Sequence, residues 1–378
     1  MTTKNRRAQQ PGTSTHPPRR SARFVVLAVM AMLMVLLGIV MVLSAASVQD
    51  LRIHGNAWYH QRRQLIWVVL GLAGLVTTSR LDYRRLKPMA IWLLAVSVLL
   101  LLAVFVPGIG IRVNGSSRWI GVGAATFQPS ELAKLAVILY GSVLLSSRPV
   151  NDLRGTVLPM AAVLGGVGAL VYAEPDLGTT MILAAIAASL LFFAGLRLAI
   201  VGATAALGVG MMGALTMTAG YRRERLLSMF DPWSDPLNTG WQAIQAGVAM
   251  SNGGLWGMGL GASRAKWGFL PFAQTDFIFA IVAEELGFVA ALLVILVYLV
   301  IGLFGLNTAL RAPDRLGQLL AAGITTWIMI QAYVNIGAVL GVLPITGVPL
   351  PLVSYGGSSM VLTLTAYGVL LNVARQTP

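Results

Sequence analysis

Thr275-Asp276-Phe277-Ile278-Phe279-Ala280-Ile281-Val282-Ala283-Glu284-Glu285 is the stretch on which the fold turns: a polar segment ends at a carboxylate and a long apolar helix begins. The apolar run continues to about residue 303, past the ~20 residues that a helix needs to cross the hydrocarbon core. An acid at such a junction lies at a membrane surface, where ionisable groups are costly and concentrate at functional sites. The rest of the chain has the same character. Of its 378 residues 57% are hydrophobic and 11% charged, with a mean hydropathy of +0.78, which leaves no soluble domain of ordinary size. Apolar segments at roughly 24–46, 64–79, 89–106, 129–145, 157–173, 178–195, 198–220, 276–303, 317–341 and 353–374 predict an all-α, polytopic membrane protein with about ten transmembrane helices. The first run is longer than the apolar core of a cleaved signal and reads as a retained anchor.

Cations set the orientation, because Lys and Arg near helix ends resist translocation. With the N-terminus inside, sixteen of the 27 Lys and Arg residues fall in cytoplasmic segments, so the +14 net charge is a topology and headgroup signal. Both termini are expected in the cytoplasm. Nucleic acid is a poor partner for this charge, since no basic run is interleaved with aromatics on a soluble module. The absence of cysteine excludes disulfides and thiol chemistry. His16, His54 and His60 show no metal-ligand spacing. Residues 1–23, rich in Pro, Thr and Arg, read as a disordered basic tail, and 24–378 as a single transmembrane domain.

Four polar clusters interrupt the apolar chain. The outer segment 221–275 is about 55 residues long and carries Tyr221-Arg222-Arg223-Glu224-Arg225, Gln245, a Gly-rich run and Arg264-Ala265-Lys266-Trp267. Its five cations and interfacial tryptophans suit an amphiphile with an anionic head, or an interfacial loop with snorkelling cations. It lacks the Lys-Ser/Thr of a nucleotide P-loop. Around Arg118-Trp119-Ile120 a second cluster leads to Pro129-Ser130-Glu131-Leu132-Ala133-Lys134, where Glu131 and Lys134 share a helical face and are expected to pair. Glu174-Pro175-Asp176 reads as a helix-capping turn. Leu343–Ser359, with three prolines, cannot continue a helix and reads as a re-entrant loop before helix ten, with Ser354 and Tyr355 as donors.

Together, Asn114-Gly115…Arg118-Trp119-Ile120, Phe127-Gln128-Pro129-Ser130-Glu131…Lys134, Glu174-Pro175-Asp176-Leu177-Gly178-Thr179, Thr275–Ala280 with Glu284-Glu285-Leu286-Gly287, and Pro349-Leu350-Pro351…Ser354–Ser359 resemble the SEDS family of FtsW, RodA and SpoVE. Phe230-Asp231-Pro232-Trp233 with Asp235-Pro236 is more similar to the division member than to the elongation member. The resemblance implies a ten-helix peptidoglycan glycosyltransferase that polymerises lipid II at the outer face of the bacterial cytoplasmic membrane. It implies Asp276 as catalytic residue, Glu131 and Lys134 as cavity residues, and a class B penicillin-binding protein and divisome membrane proteins as partners. No organic cofactor is expected; a divalent cation, Mg or Mn, is left open. Where family members often carry an acid or Asn and a His, this chain has Pro271-Phe272-Ala273-Gln274.

The chemistry needs one base and a cationic cradle. An acceptor hydroxyl must lose a proton as it attacks an anomeric carbon whose leaving group is a polyprenyl diphosphate. Asp276 is the natural base, and Arg118, Arg222, Arg223, Arg264 and Lys266 are diphosphate candidates. Glu284 and Glu285 stand about 12 Å along the helix from Asp276, beyond the spacing of an inverting carboxylate pair. The residues also allow Asp276 to be a helix-capping acid, with Thr275 an equally good cap, and the whole chain to be a flippase for a lipid-linked sugar.

Overall fold

The computed structural model describes residues 22–113, 116–122, 125–150, 152–218 and 220–377. The tail up to position 21 and Asn114-Gly115 therefore lie outside the described residues, as does the side chain of Arg222. Each of the ten apolar segments coincides with a helix: α1 (Ala22–His54), α2 (Tyr59–Arg80), α3 (Met89–Ala103), α4 (Pro129–Ser147), α5 (Leu158–Ala173), α6 (Leu177–Phe193), α7 (Leu198–Thr218), then α10 (Ile278–Leu310), α11 (Arg315–Val339) and α12 (Gly357–Gln376). Two more, α8 (Gly220–Phe230) and α9 (Trp241–Gly253), lie in the outer segment. Among the described residues six helices are long and apolar enough to cross a membrane, with α3 and α6 shorter apolar helices. The protein is a multi-pass membrane protein.

One element departs from an all-helical expectation. Three strands form an antiparallel sheet in the order β1 (Gly110–Val113), β2 (Ser116–Val122), β3 (Ala125–Phe127). Its strands satisfy each other's backbone groups across the ladder, and the sheet feeds into α4, where Pro129 occupies the first turn. Helices α4, α11 and α12 bury most of their surface, whereas α1, α5 and α10 expose broad apolar faces. In a bilayer the first group is the bundle interior and the second meets lipid.

Helix α10 is broken at Gly287, whose φ of 83° and ψ of 178° are non-helical. The freed backbone groups find partners in the outer segment. Met258 N donates to Glu284 O at 3.0 Å and Gly259 N to Glu285 O at 3.0 Å, while Phe288 N donates to Gly254 O at 2.9 Å. Irregular backbone at this depth is tolerated only with such internal satisfaction. The outer segment is thereby pinned into the bundle.

Candidate active site

Asp276 stands in the turn that enters α10, not in the helix. The helix begins at Ile278 with Phe277 in the capping position and no side-chain cap, and the Thr275 hydroxyl donates back to Phe272 O at 3.1 Å. Phe277, rather than Thr275 or Asp276, occupies the capping position of α10, and Asp276 stands one residue before it. Asp276 is half-buried.

The turn is held from two sides. From the re-entrant segment, Ser354 Oγ donates to Thr275 O at 2.6 Å and Tyr355 N donates to Gln274 O at 2.9 Å. From α11, Asn335 Nδ2 donates to Asp276 O and to Val348 O, each at 2.8 Å. One amide thus ties the acid's backbone to the re-entrant segment. Beside it Gly347 has φ +75°, and a Cβ there would stand 3.7 Å from Asp276 Oδ2 and 3.9 Å from Arg118 Nη1. The carboxylate and the guanidinium therefore border one small space that glycine leaves open.

Arg118 reaches this space from β2. Its Nε donates to Glu174 O at 3.1 Å, its Nη2 donates to Pro175 O, and its Nη1 lies 3.8 Å from Asp176 Oδ1. As expected of the turn, Asp176 caps α6, accepting from Thr179 N at 3.0 Å; it also accepts from Gln128 Nε2 at 3.3 Å. Glu174 is buried, and neither of its oxygens has a hydrogen-bond partner. Burial, and secondarily Asp176, push its carboxyl up to about 8 against the opposing pull of Arg118.

Glu131 and Lys134 pair as their spacing predicts, at 2.8 Å and fully enclosed. Lys134 Nζ also donates to Gln331 Oε1 at 2.7 Å and lies 4.9 Å from the Trp327 ring centroid. Gln331 Nε2 then donates to Pro349 O at 3.0 Å. The pair is thus wired through α11 to the re-entrant segment beside Asp276. Gln331 and Asn335 belong to none of the four polar clusters of the sequence, although two amides one turn apart in an apolar helix are a legible signal.

Lys266 is a correction. Instead of standing free for a ligand's diphosphate, it is buried against the Glu285 carboxylate at 3.2 Å and donates to Ser44 Oγ at 3.1 Å. Glu285 also accepts from Ser44 Oγ at 2.7 Å, and Glu284 accepts from Arg264 N at 3.1 Å and from Ser263 Oγ. The two glutamates, apolar-helix residues with no evident use in the sequence, are anchors for the outer segment. A second correction concerns Ser354, which is buried and spends its hydroxyl on Thr275 O and Leu350 N. Arg223 and Arg264 are exposed and Gln245 is half-buried; the hydrogen bonds that tie the Asp276 turn to α11 and the re-entrant segment come from none of them.

Residues 24–378 match the sequence signature of the FtsW, RodA and SpoVE family, described as cell cycle protein. A probable peptidoglycan glycosyltransferase FtsW of Geobacter metallireducens is 41% identical over 352 residues, covering 93% of this chain and 94% of that protein. Stage V sporulation protein E of Bacillus subtilis is 38% identical over 359 residues, covering 94% of this chain and 98% of that one. Among solved structures, a chain from a study of the structural coordination of polymerization and crosslinking by a peptidoglycan synthase complex matches with a TM-score of 0.75 and 32% identity, over 93% of this chain and 97% of its own. The crystal structure of the Thermus thermophilus rod shape determining protein RodA matches with a TM-score of 0.68 and 29% identity, over 93% and 96%. With signature, relatives and fold in agreement over nearly its whole length, the chain belongs to the FtsW, RodA and SpoVE family.

Proposed function

We propose that this protein is a peptidoglycan glycosyltransferase that polymerises lipid II into glycan strands at the outer face of the cytoplasmic membrane during cell division. The observation that carries the reading is the space bordered by the Asp276 carboxylate and the Arg118 guanidinium across Gly347, in a family whose relatives are named for this activity. The acceptor hydroxyl oxygen attacks the donor's anomeric carbon and forms the new glycosidic bond. Its proton passes to an Asp276 carboxylate oxygen, and the bond between anomeric carbon and diphosphate breaks with its electron pair on the departing polyprenyl diphosphate. Arg118, aimed in advance by the carbonyls of Glu174 and Pro175, neutralises charge on that leaving group. Glu131, Lys134, Gln331 and Asn335 act at one remove, fixing the position of the base.

Among the described residues no three His, Asp or Glu side chains are grouped to hold a metal. A Mg or Mn ion, which takes few protein ligands and several phosphate or water oxygens, would arrive with the diphosphate, with Asp276 as the carboxylate ligand. The chain's termini lie in the cytoplasm on this reading, and its partner is a class B penicillin-binding protein that crosslinks the strands.

The test is Asp276→Asn in detergent-solubilised protein given labelled lipid II. The amide keeps the shape but cannot accept the hydroxyl proton, so glycan strands disappear on gels, a loss of at least ~100-fold. Thermal midpoint and lipid II binding stay near wild type. Polymerisation by the Asn variant removes Asp276 as base; a wild type that scrambles lipid II in liposomes without polymerising it replaces the enzyme with a flippase.

A further inference from the structure

Polymerisation of lipid-linked sugars handles two diphosphates at once: one departs from the donor, and one stays on the acceptor, a disaccharide away from the attacking hydroxyl. Arg118 serves the departing group because it shares the space of Asp276. A second cation stands on the other flank of the same turn. At the start of α2 the Arg63 guanidinium lies 4.9 Å from the Tyr59 ring centroid, and its charge acts on the Tyr355 side chain. Tyr355 is the residue whose backbone N–H donates to Gln274 O, two positions before Asp276.

This corner is rigidly built. Asp50, fully buried in α1, accepts from His60 N at 2.9 Å and pairs with the His60 ring, while His54 Nδ1 lies 3.7 Å away. The His60 ring meets Tyr355 edge-on with centroids 4.8 Å apart, and His54 stacks on Tyr59 at 3.7 Å. Helices α1 and α2 and the re-entrant segment thereby converge on Arg63. The same corner holds two buried amides: Gln64, which donates to Ser354 O at 3.5 Å, and Gln274. The Oε1 atoms of both have no hydrogen-bond partner. Buried polar atoms are nearly always satisfied, and a hydroxyl-rich sugar supplies donors of the required kind.

Resting on the polymerase reading above, we propose that Arg63 and Tyr355 form the acceptor subsite, holding the diphosphate that the acceptor retains, with Gln64 and Gln274 receiving its sugar hydroxyls on the way to Asp276. A guanidinium fork matches phosphate geometry, and Tyr355 fixes the fork's orientation. Arg63 is a binding residue that leaves the bond-making step to others.

Arg63→Gln, Arg63→Lys and Tyr355→Phe, made in the full chain, test this. In steady-state polymerisation Arg63→Gln raises the KM for lipid II about tenfold and moves kcat much less, with Arg63→Lys between it and wild type. The milder Tyr355→Phe shifts KM about threefold in the same direction. An unchanged KM in Arg63→Gln protein of wild-type thermal midpoint overturns the subsite, as does a fall in kcat alone. A second arm needs no turnover: with farnesyl diphosphate in equilibrium dialysis, wild-type protein takes up two equivalents and Arg63→Gln one. Two equivalents in the variant overturn the subsite even in a protein that polymerises normally, whereas a wild type that binds two and polymerises nothing retains the subsite and loses the polymerase reading.

Discussion

Lys134 is a fully buried cation whose charge is answered by Glu131, by the Gln331 oxygen and by the face of Trp327. Such a pair gains little over apolar residues of equal size, but losing one partner leaves a naked ion in a poor solvent, a cost of ~3–5 kcal/mol. Glu131→Gln and Lys134→Met are therefore each expected to lower thermal stability sharply, and the double variant much less than their sum. Strictly additive losses in the double-mutant cycle refute the pairing energetics. Glu174 makes a pH prediction. Its folded-state carboxyl holds a proton up to about 8, while an unfolded one releases it near 4.5, so folding takes up a proton between those values and stability falls as pH rises through that window. Glu174→Gln should match wild type near pH 5 and melt several degrees higher near pH 8.5. Equal pH dependence of the two midpoints removes this role. At this scale the i, i+3 spacing of Glu131 and Lys134 was legible in the chain, because helix geometry alone brings them together. The space shared by Arg118 and Asp276 was not: the two are far apart in sequence and border one gap only in the fold, at Gly347.

Helix α10 shows how an element can be read correctly and still mislead. Its apolar length announces a membrane helix, yet the break at Gly287 depends on a partner elsewhere in the chain. A Cβ on Gly287 would stand 2.4 Å from Gly257 N and 2.5 Å from Leu255 O, at a φ that side chains avoid. Gly287→Ala is expected to expel the 254–259 segment from the break and abolish recovery of folded protein on size exclusion. Gly165→Ala, in α5 with nothing within 4 Å of its Cβ, should be neutral or stabilising by up to ~1 kcal/mol. A Gly287→Ala protein that melts like wild type refutes the interlock. The glutamates next to the break follow the same logic. Their distance along the helix from Asp276 argued against a shared role, and their use became visible only with Lys266, Ser263 and Ser44 around them.

For the molecule as a whole, orientation is the statement most open to direct test, because the chain has no cysteine. Single cysteines at Leu237, highly exposed in the outer segment, and at Arg85, between α2 and α3, should label in opposite ways in intact cells. A membrane-impermeant maleimide is expected to modify Leu237→Cys strongly and Arg85→Cys only after lysis; the reverse pattern inverts the topology. Sequence by itself determined the membrane setting, the positions of the apolar helices and the irregular, proline-rich stretch before α12, since each depends on local composition, on helix periodicity or on a backbone that proline forbids to be helical. The tertiary structure decided which charges face the site. Of the cations named from the sequence, Lys266 is drawn into a buried pair, while Arg118, from a small sheet, borders one space with Asp276 across Gly347. A charge's partner is set by a few ångströms of packing between distant segments, and no local pattern in the chain encodes that distance.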